Sequence, residues 1–294
     1  LIWQMKNKHM KEGTVMKVGV IGAGTMGAGI AQVFAQTEGY EVYLCDINQE
    51  FADGGKAKIA KSFAKSVEKG KMTQEEADAI LAKISTGTKE ICTEADLIVE
   101  GAPEVLSIKQ QTFKELQDIV PASCIFTTNT SSLSVTDIGK GLDRPVTGMH
   151  FFNPAPFMKL IEVIKSAYTS DELCEKIVNI SKEIGKTPVI VNEAPGFVVN
   201  RILVPMINEA CEILALGVAT AEDIDIAMKL GANHPMGPLA LGDLVGLDVC
   251  LHIMNVLYTE TGDPKYRPSV LLKQMVRAGK LGRKTGIGFF DYRK

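Results

Sequence analysis

The sequence predicts an α/β domain built on a doubly wound, mainly parallel sheet, followed by an all-helical carboxyl-terminal domain. Three observations carry this. Strand-like and helix-like segments alternate from residue 17 to residue 191, the pattern of a parallel sheet with helices on both faces. A Gly-x-Gly-x-x-Gly turn, Gly22 to Gly27, stands between the first strand and the first helix. After Pro195-Gly196 the strand patterns stop, and residues 197–257 are nearly all helix-compatible.

The elements follow in order. Lys17-Val18-Gly19-Val20-Ile21 is a short apolar run ending at Gly22, as a buried parallel strand should be. A helix is expected from Met26 to Gln36, with Ile30, Val33 and Phe34 on its packed side. The run Glu41 to Asp46 reads as the second strand, and a Lys-rich helix follows over 51–69. Thr73, with Glu76 three residues on, has the spacing of a capping box. Further strands are expected at 96–100, 124–129, 146–152, 159–164 and 188–191, with helices over 105–118 and 171–184. Ile202 to Leu216 is apolar on several faces, so it should be buried in a core or a subunit interface, with a kink at Pro205. These patterns divide the chain into an extension (1–15), a first domain (16–196) and a helical domain (197–294).

Composition excludes several classes. Across 294 residues, 32 basic side chains face 35 acidic ones, a net charge of −3 with no basic footprint for nucleic acid. No run approaches the roughly 18 consecutive apolar residues of a membrane span. Of the six cysteines the closest pair, Cys92 and Cys124, lies 32 residues apart, which suits reduced thiols in a cytoplasmic protein. With four histidines and neither HExxH nor CxxC, no metal centre is expected. The polar start through Val15 is no secretory signal, and Met16 reads as the natural first residue.

The glycine turn gives the first functional signal. In a strand–turn–helix setting Gly22 permits the tight turn, Gly24 lets backbone approach a pyrophosphate, and Gly27 allows close helix–strand packing. The helix N-terminus then offers its N–H groups to phosphate. Asp46 closes the second strand 19 residues after Gly27, where a ribose-binding acid belongs. Together they define a Rossmann-type dinucleotide site. An acid there accepts from a ribose 2′-hydroxyl and repels a 2′-phosphate, favouring NAD over NADP.

His150 is the second signal. It ends a strand just before the Asn153-Pro154 loop, at the sheet edge that borders a ligand crevice. In the next strand, period-2 alternation puts Glu162 on the same face as the aliphatic Leu160 and Ile164. A carboxylate there is costly unless paired. His150 is the partner candidate, and a His–Glu dyad would set the imidazole's tautomer and raise its basicity. Ser131, after a strand, and Asn200, opening the apolar helix, could complete the site; read plainly, they are a turn residue and a helix cap. Lys61, Lys65 and Lys69 form one stripe beside Ser62 and Ser66, either a solvated face or a dock for a phosphorylated ligand. His9, His234 and His252 show no partner in the pattern.

These residues are joined by Gly22-Ala23-Gly24-Thr25-Met26-Gly27-Ala28-Gly29, Asn129-Thr130-Ser131-Ser132, His150-Phe151-Phe152-Asn153-Pro154, Pro195 to Arg201, His234-Pro235-Met236-Gly237-Pro238 and Gly282-Arg283-Lys284-Thr285-Gly286. In this order they resemble the L-3-hydroxyacyl-CoA dehydrogenases, above all the short bacterial 3-hydroxybutyryl-CoA dehydrogenases, over residues 16–294. The resemblance implies His150 as catalytic base, Glu162 as its partner, and Ser131 and Asn200 on the reacting oxygen and substrate. It implies Gly22, Gly24, Gly27, Asp46, Glu104, Lys109, Asn153 and Lys284 for NAD, and Ser62, Lys69 and Lys109 for coenzyme A. It also implies a homodimer through the helical domain.

The reading is reversible hydride transfer between NAD(H) and a short 3-hydroxyacyl-CoA, in butyrate or fatty-acid metabolism. Two alternatives stand beside it: a dehydrogenase of a free hydroxy acid, of gulonate type, and a non-catalytic NAD-binding protein.

Overall fold

The first apolar run becomes a central strand of the sheet, with Val18 and Val20 fully buried. The structure, a computed structural model, describes residues 15–293; the extension, Val15 apart, lies outside the described residues, as does His9. The chain divides into two units that part between Glu193 and Ala194.

Among its described residues the first unit holds eight strands: β1 (Met16–Ile21), β2 (Tyr40–Cys45), β3 (Ile84–Gly87), β4 (Leu97–Glu100), β5 (Ile125–Thr128), β6 (Val146–Phe151), β7 (Leu160–Lys165) and β8 (Thr187–Asn192). Their spatial order is β3-β2-β1-β4-β5-β6-β7-β8. The sheet winds outward in both directions from β1 and β4, the Rossmann-type order, and its crevice opens at their carboxyl ends. Every neighbouring pair is parallel except β6 and β7. The reason is length: only residues 152–159 join these two strands, whereas a parallel crossover needs about a dozen or more.

Helices α1 (Thr25–Gln36), α2 (Gln49–Glu68), α3 (Gln74–Ala82), α4 (Leu106–Gln117), α5 (Val135–Ile138) and α6 (Asp171–Glu183) accompany the strands. α1 buries Ile30, Ala31 and Phe34 in a core shared with Val18, Leu44, Leu97 and Val99. The expected capping box on α3 is formed, Thr73 Oγ accepting from Glu76 N at 3.1 Å and Glu76 Oε2 from Thr73 N at 2.7 Å. The sequence reading missed β3 and α5. Each is four residues long, too short for a periodicity, and β3 is an edge strand held by its pairing with β2. All six cysteines are buried and free. Cys45 and Cys92 place their sulfurs 3.5 Å apart, and that contact together with burial holds the Cys45 thiol far above its ordinary pKa.

The second unit is helical: α7 (Val199–Ala215), α8 (Ala221–Gly231), α9 (Pro238–Val245), α10 (Leu247–Thr261) and α11 (Val270–Arg277). Val204, Ile207, Leu239, Leu247, Met254, Leu257 and Leu272 form its core. Asp225 of α8 accepts from Leu239 N (2.8 Å) and Ala240 N (2.9 Å), capping α9 behind Pro238. Asp243 accepts from Phe289 N and Phe290 N, both at 3.0 Å, and so fastens the carboxyl-terminal segment.

α7 runs through Pro205 as a single element. Within this unit Val204, Ile207 and Cys211 are buried on one face, whereas Ile202 is 69% and the C-cap residue Leu216 77% exposed. Among the described residues no single helix is long and apolar enough to cross a membrane.

Candidate active site

The glycine turn closes the carboxyl end of β1. Gly22 has φ +100°, and a Cβ there would lie 2.7 Å from the Gly101 carbonyl oxygen. A Cβ on Gly27 would lie 1.7 Å from the Gly22 oxygen, so α1 can approach β1 only through a glycine. At Gly24 nothing stands within 4 Å of a Cβ, which leaves the backbone open to a large ligand. The first turn of α1 has no side-chain cap and no acid, so its N–H groups suit a phosphate. These features fit a dinucleotide. Asp46 follows β2 directly; its Oδ2 accepts from Ala23 N at 2.6 Å and its Oδ1 from Ile47 N at 2.8 Å. It thus ties the end of β2 to the glycine turn, a bond the sequence reading did not foresee.

His150 and Glu162 meet as the sequence reading expected. They are paired across β6 and β7, and Nδ1 of His150 lies 2.8 Å from Oε2 of Glu162. Both are buried, at 4% and 1% exposure, so the pair sits where its mutual attraction is poorly screened. Phe152 packs on the imidazole with ring centroids 4.5 Å apart. The loop that follows carries exposed Asn153 and a cis Asn153–Pro154 peptide. Buried Lys186 fastens this loop, donating to the carbonyls of Ala155 (2.6 Å) and Met158 (2.8 Å).

A second cluster lies at the ends of β4 and β5. Glu104 Oε1 accepts from Thr130 Oγ (2.7 Å), Ser131 N (2.8 Å) and Ser132 N (3.1 Å), with the Ser131 hydroxyl at 3.2 Å. The Ser131 loop is thus clamped by a carboxylate. Burial pushes the Glu104 carboxyl up, but the Lys109 charge and the loop's donors outweigh it and hold Glu104 below the ordinary carboxylate value.

Lys109 is 1% exposed and donates to Glu100 Oε1 (2.8 Å) and to the Ala102 carbonyl (3.1 Å), with Glu104 Oε2 at 3.3 Å. Its ammonium is thus shared by two carboxylates and a carbonyl.

The sequence reading also missed Glu100 and Asn129. Glu100 is 0% exposed, and the Asn129 side chain accepts from Phe151 N at 2.7 Å, tying β5 to the residue after His150. Glu100 had the same signal as Glu162, a carboxylate in an apolar strand. Asn129 had none.

The remaining residues are placed separately. Ser62 is half-buried on α2, whereas Lys61, Lys65 and the C-cap residue Lys69 are exposed. In the second unit, Asn200 is half-buried in the first turn of α7, whose N-cap is Val198, so the helix-cap reading of Asn200 falls. Lys284 donates to Asp248 Oδ2 at 2.6 Å. Among the described residues no group of three or more His, Cys, Asp or Glu side chains is arranged to hold a metal.

Comparison with known proteins first gives the class. Residues 17–194 match the family model described as the NAD binding domain of 3-hydroxyacyl-CoA dehydrogenase, and residues 196–292 match that of its C-terminal domain. The chain belongs to the 3-hydroxyacyl-CoA dehydrogenase family, whose members are NAD-dependent oxidoreductases.

Among particular relatives, the chain is 54% identical over 282 residues to the 3-hydroxybutyryl-CoA dehydrogenase of Clostridioides difficile, covering 95% of this chain and 100% of that one. It is 42% identical to the human mitochondrial hydroxyacyl-coenzyme A dehydrogenase, covering 95% of this chain and 92% of that one. The crystal structure of an (S)-3-hydroxybutyryl-CoA dehydrogenase from Ralstonia eutropha superposes with a TM-score of 0.90 at 45% identity, covering 96% of this chain and 100% of that one.

Proposed function

We propose that this chain interconverts acetoacetyl-CoA and (S)-3-hydroxybutyryl-CoA with NAD(H), and that His150 exchanges the substrate proton. The single observation that carries the residue assignment is the buried 2.8 Å contact between His150 Nδ1 and Glu162 Oε2. It commits Nδ1 to the carboxylate, so the exchanged proton is carried at Nε2. In oxidation, neutral His150 takes the 3-hydroxyl proton at Nε2; in reduction, the imidazolium returns it to the ketone oxygen. Glu162 stabilises the imidazolium and fixes the ring. Ser131, held by Glu104, and Asn200 orient the reacting oxygen and the thioester.

The dinucleotide, bound at Gly22, Gly24, Gly27 and Asp46 with Glu104, Asn153 and Lys284, supplies the hydride chemistry. Ser62 and Lys69 hold the coenzyme A phosphates. The NADH-consumption rate with acetoacetyl-CoA, set beside a free gulonate-type acid assayed with NAD, is the test. Turnover of the thioester alone supports this reading. Turnover of the free acid alone supports the rival dehydrogenase, and neither supports a non-catalytic protein.

We also infer a homodimer through the second unit. Ile226 and Leu230 lie one helical turn apart on α8 and are 50% and 81% exposed, and Ile202, Leu216 and Val218 add further exposed apolar area. Sedimentation at micromolar concentration tests it, a monomer counting against it. The six buried free thiols accord with a cytoplasmic location.

A further inference from the structure

We infer that Glu100 is a positioning residue for this reaction: acting through Lys109, it holds Glu104 beneath the Asn129–Ser132 loop and so sets the Ser131 hydroxyl. The inference rests on the proposed role of Ser131.

Glu100 ends β4 with its carboxylate wholly buried, and the His150–Glu162 chemistry makes no use of it. Oε1 accepts from Ala102 N (2.6 Å) and Lys109 Nζ (2.8 Å); Oε2 accepts from Thr128 Oγ (2.6 Å) and again from Lys109 (3.1 Å). The same ammonium reaches Glu104 Oε2 at 3.3 Å, so one lysine is shared by two carboxylates. On its other oxygen Glu104 gathers three short donors from the loop, leaving the Ser131 and Ser132 hydroxyls as the longest contacts, at 3.2 and 3.3 Å. One carboxylate oxygen has two lone pairs. The Ser131 backbone is thus clamped by Glu104 at 2.8 Å, with its hydroxyl the longer contact at 3.2 Å, so the position of Glu104 sets where that hydroxyl lies.

Burial pushes the Glu100 carboxyl up, and Lys109, Thr128 and Ala102 offset only part of that. An ionised carboxyl whose folded pKa is raised lowers stability at neutral pH relative to its own protonated form. Buried ion clusters are often replaceable by apolar residues without loss of stability. What Glu100 does supply is a counter-pull. Without its charge, Lys109 is drawn to Glu104 alone and carries that carboxylate off the loop.

The test is a double-mutant cycle on kcat for acetoacetyl-CoA reduction. Glu100→Gln should lower kcat roughly 10- to 100-fold, the scale of a misplaced catalytic geometry. Ser131→Ala should lower it as well, and the double variant should be no slower than Ser131→Ala. Effects that multiply, or a Glu100→Gln enzyme with wild-type kcat, overturn the inference. Should Glu100→Gln fail to fold, Glu100→Asp, which keeps the charge but draws the carboxylate back from Lys109, enters the same cycle and the same criteria decide. His150→Ala separates the two levels. If it and Ser131→Ala both turn over normally, the underlying reading has failed and the inference with it. If both are impaired while Glu100→Gln is normal or multiplicative, only the inference fails.

Discussion

His150 and Glu162 face each other across the one antiparallel junction of the eight-stranded sheet, with Nδ1 and Oε2 2.8 Å apart and both side chains buried. The junction exists because the connection between β6 and β7 is too short to cross over. In register, it places the carboxylate directly opposite the imidazole. The predictions below begin from this pair.

His150→Ala should lower kcat roughly 10²–10⁴-fold, the usual worth of a general acid–base group. NADH affinity should hardly change, because the nucleotide is assigned to other residues. Steady-state rates and NADH fluorescence titration check both parts, and near-normal turnover removes His150 from the mechanism.

Glu162→Gln keeps the shape but removes the charge that favours imidazolium. Reduction, which needs the imidazolium, should slow by roughly 10-fold or more, and its alkaline limb should move to lower pH. A pH–rate profile that keeps its wild-type position makes Glu162 structural only.

Asp46→Ser with Ile47→Arg should turn cofactor preference from NADH toward NADPH, by removing a carboxylate and adding a cation beside the 2′-position. Asp46 also accepts from Ala23 N at 2.6 Å, so the glycine turn loses an anchor. NADH KM should therefore rise about 10-fold, the scale of one charge-assisted hydrogen bond. A wild-type enzyme that used both cofactors equally would refute this reading of Asp46.

Lys69→Ala should raise KM for acetoacetyl-CoA about 2- to 5-fold, the worth of one exposed ion pair, and leave KM for NADH alone. Added salt should weaken thioester binding in the wild type for the same reason, the screening length being about 10 Å at 0.1 M. If neither KM moves, the lysine stripe is a solvated face.

Glu104 makes stability depend on pH. Its folded pKa lies below the ordinary 4.5, so its contribution is fully present above pH 4.5 and is lost as pH falls through the folded value. Glu104→Gln should accordingly lower Tm at neutral pH, and the gap from wild type should close in the acid range. Thermal melts of both proteins measure it, and a gap independent of pH assigns the loss to packing.

Much of the fold and part of the site were legible in the chain itself. Apolar runs of strand length, separated by helix-length segments, dictate a parallel sheet because only helices can cover both of its faces. Gly22 and Gly27 announced their own geometry, since a left-handed φ and a 1.7 Å approach each exclude a side chain. Glu162 was visible as a carboxylate in an apolar strand, and its cost there demanded a partner.

The spacing of residues could not decide who that partner's neighbours were. Lys109 lies nine residues from Glu100 and five from Glu104, and only the fold shows its ammonium consumed between them. The clamps of Glu104 on the Thr130–Ser132 loop, of Asn129 on Phe151 and of Asp46 on Ala23 are likewise bonds between strand ends. Periodicity reports which face of an element a side chain occupies, because that follows from local backbone geometry. Hydrogen-bond partners at the carboxyl edge are set by strand order and register, which arise only when distant segments pair, so the tertiary structure alone decided them.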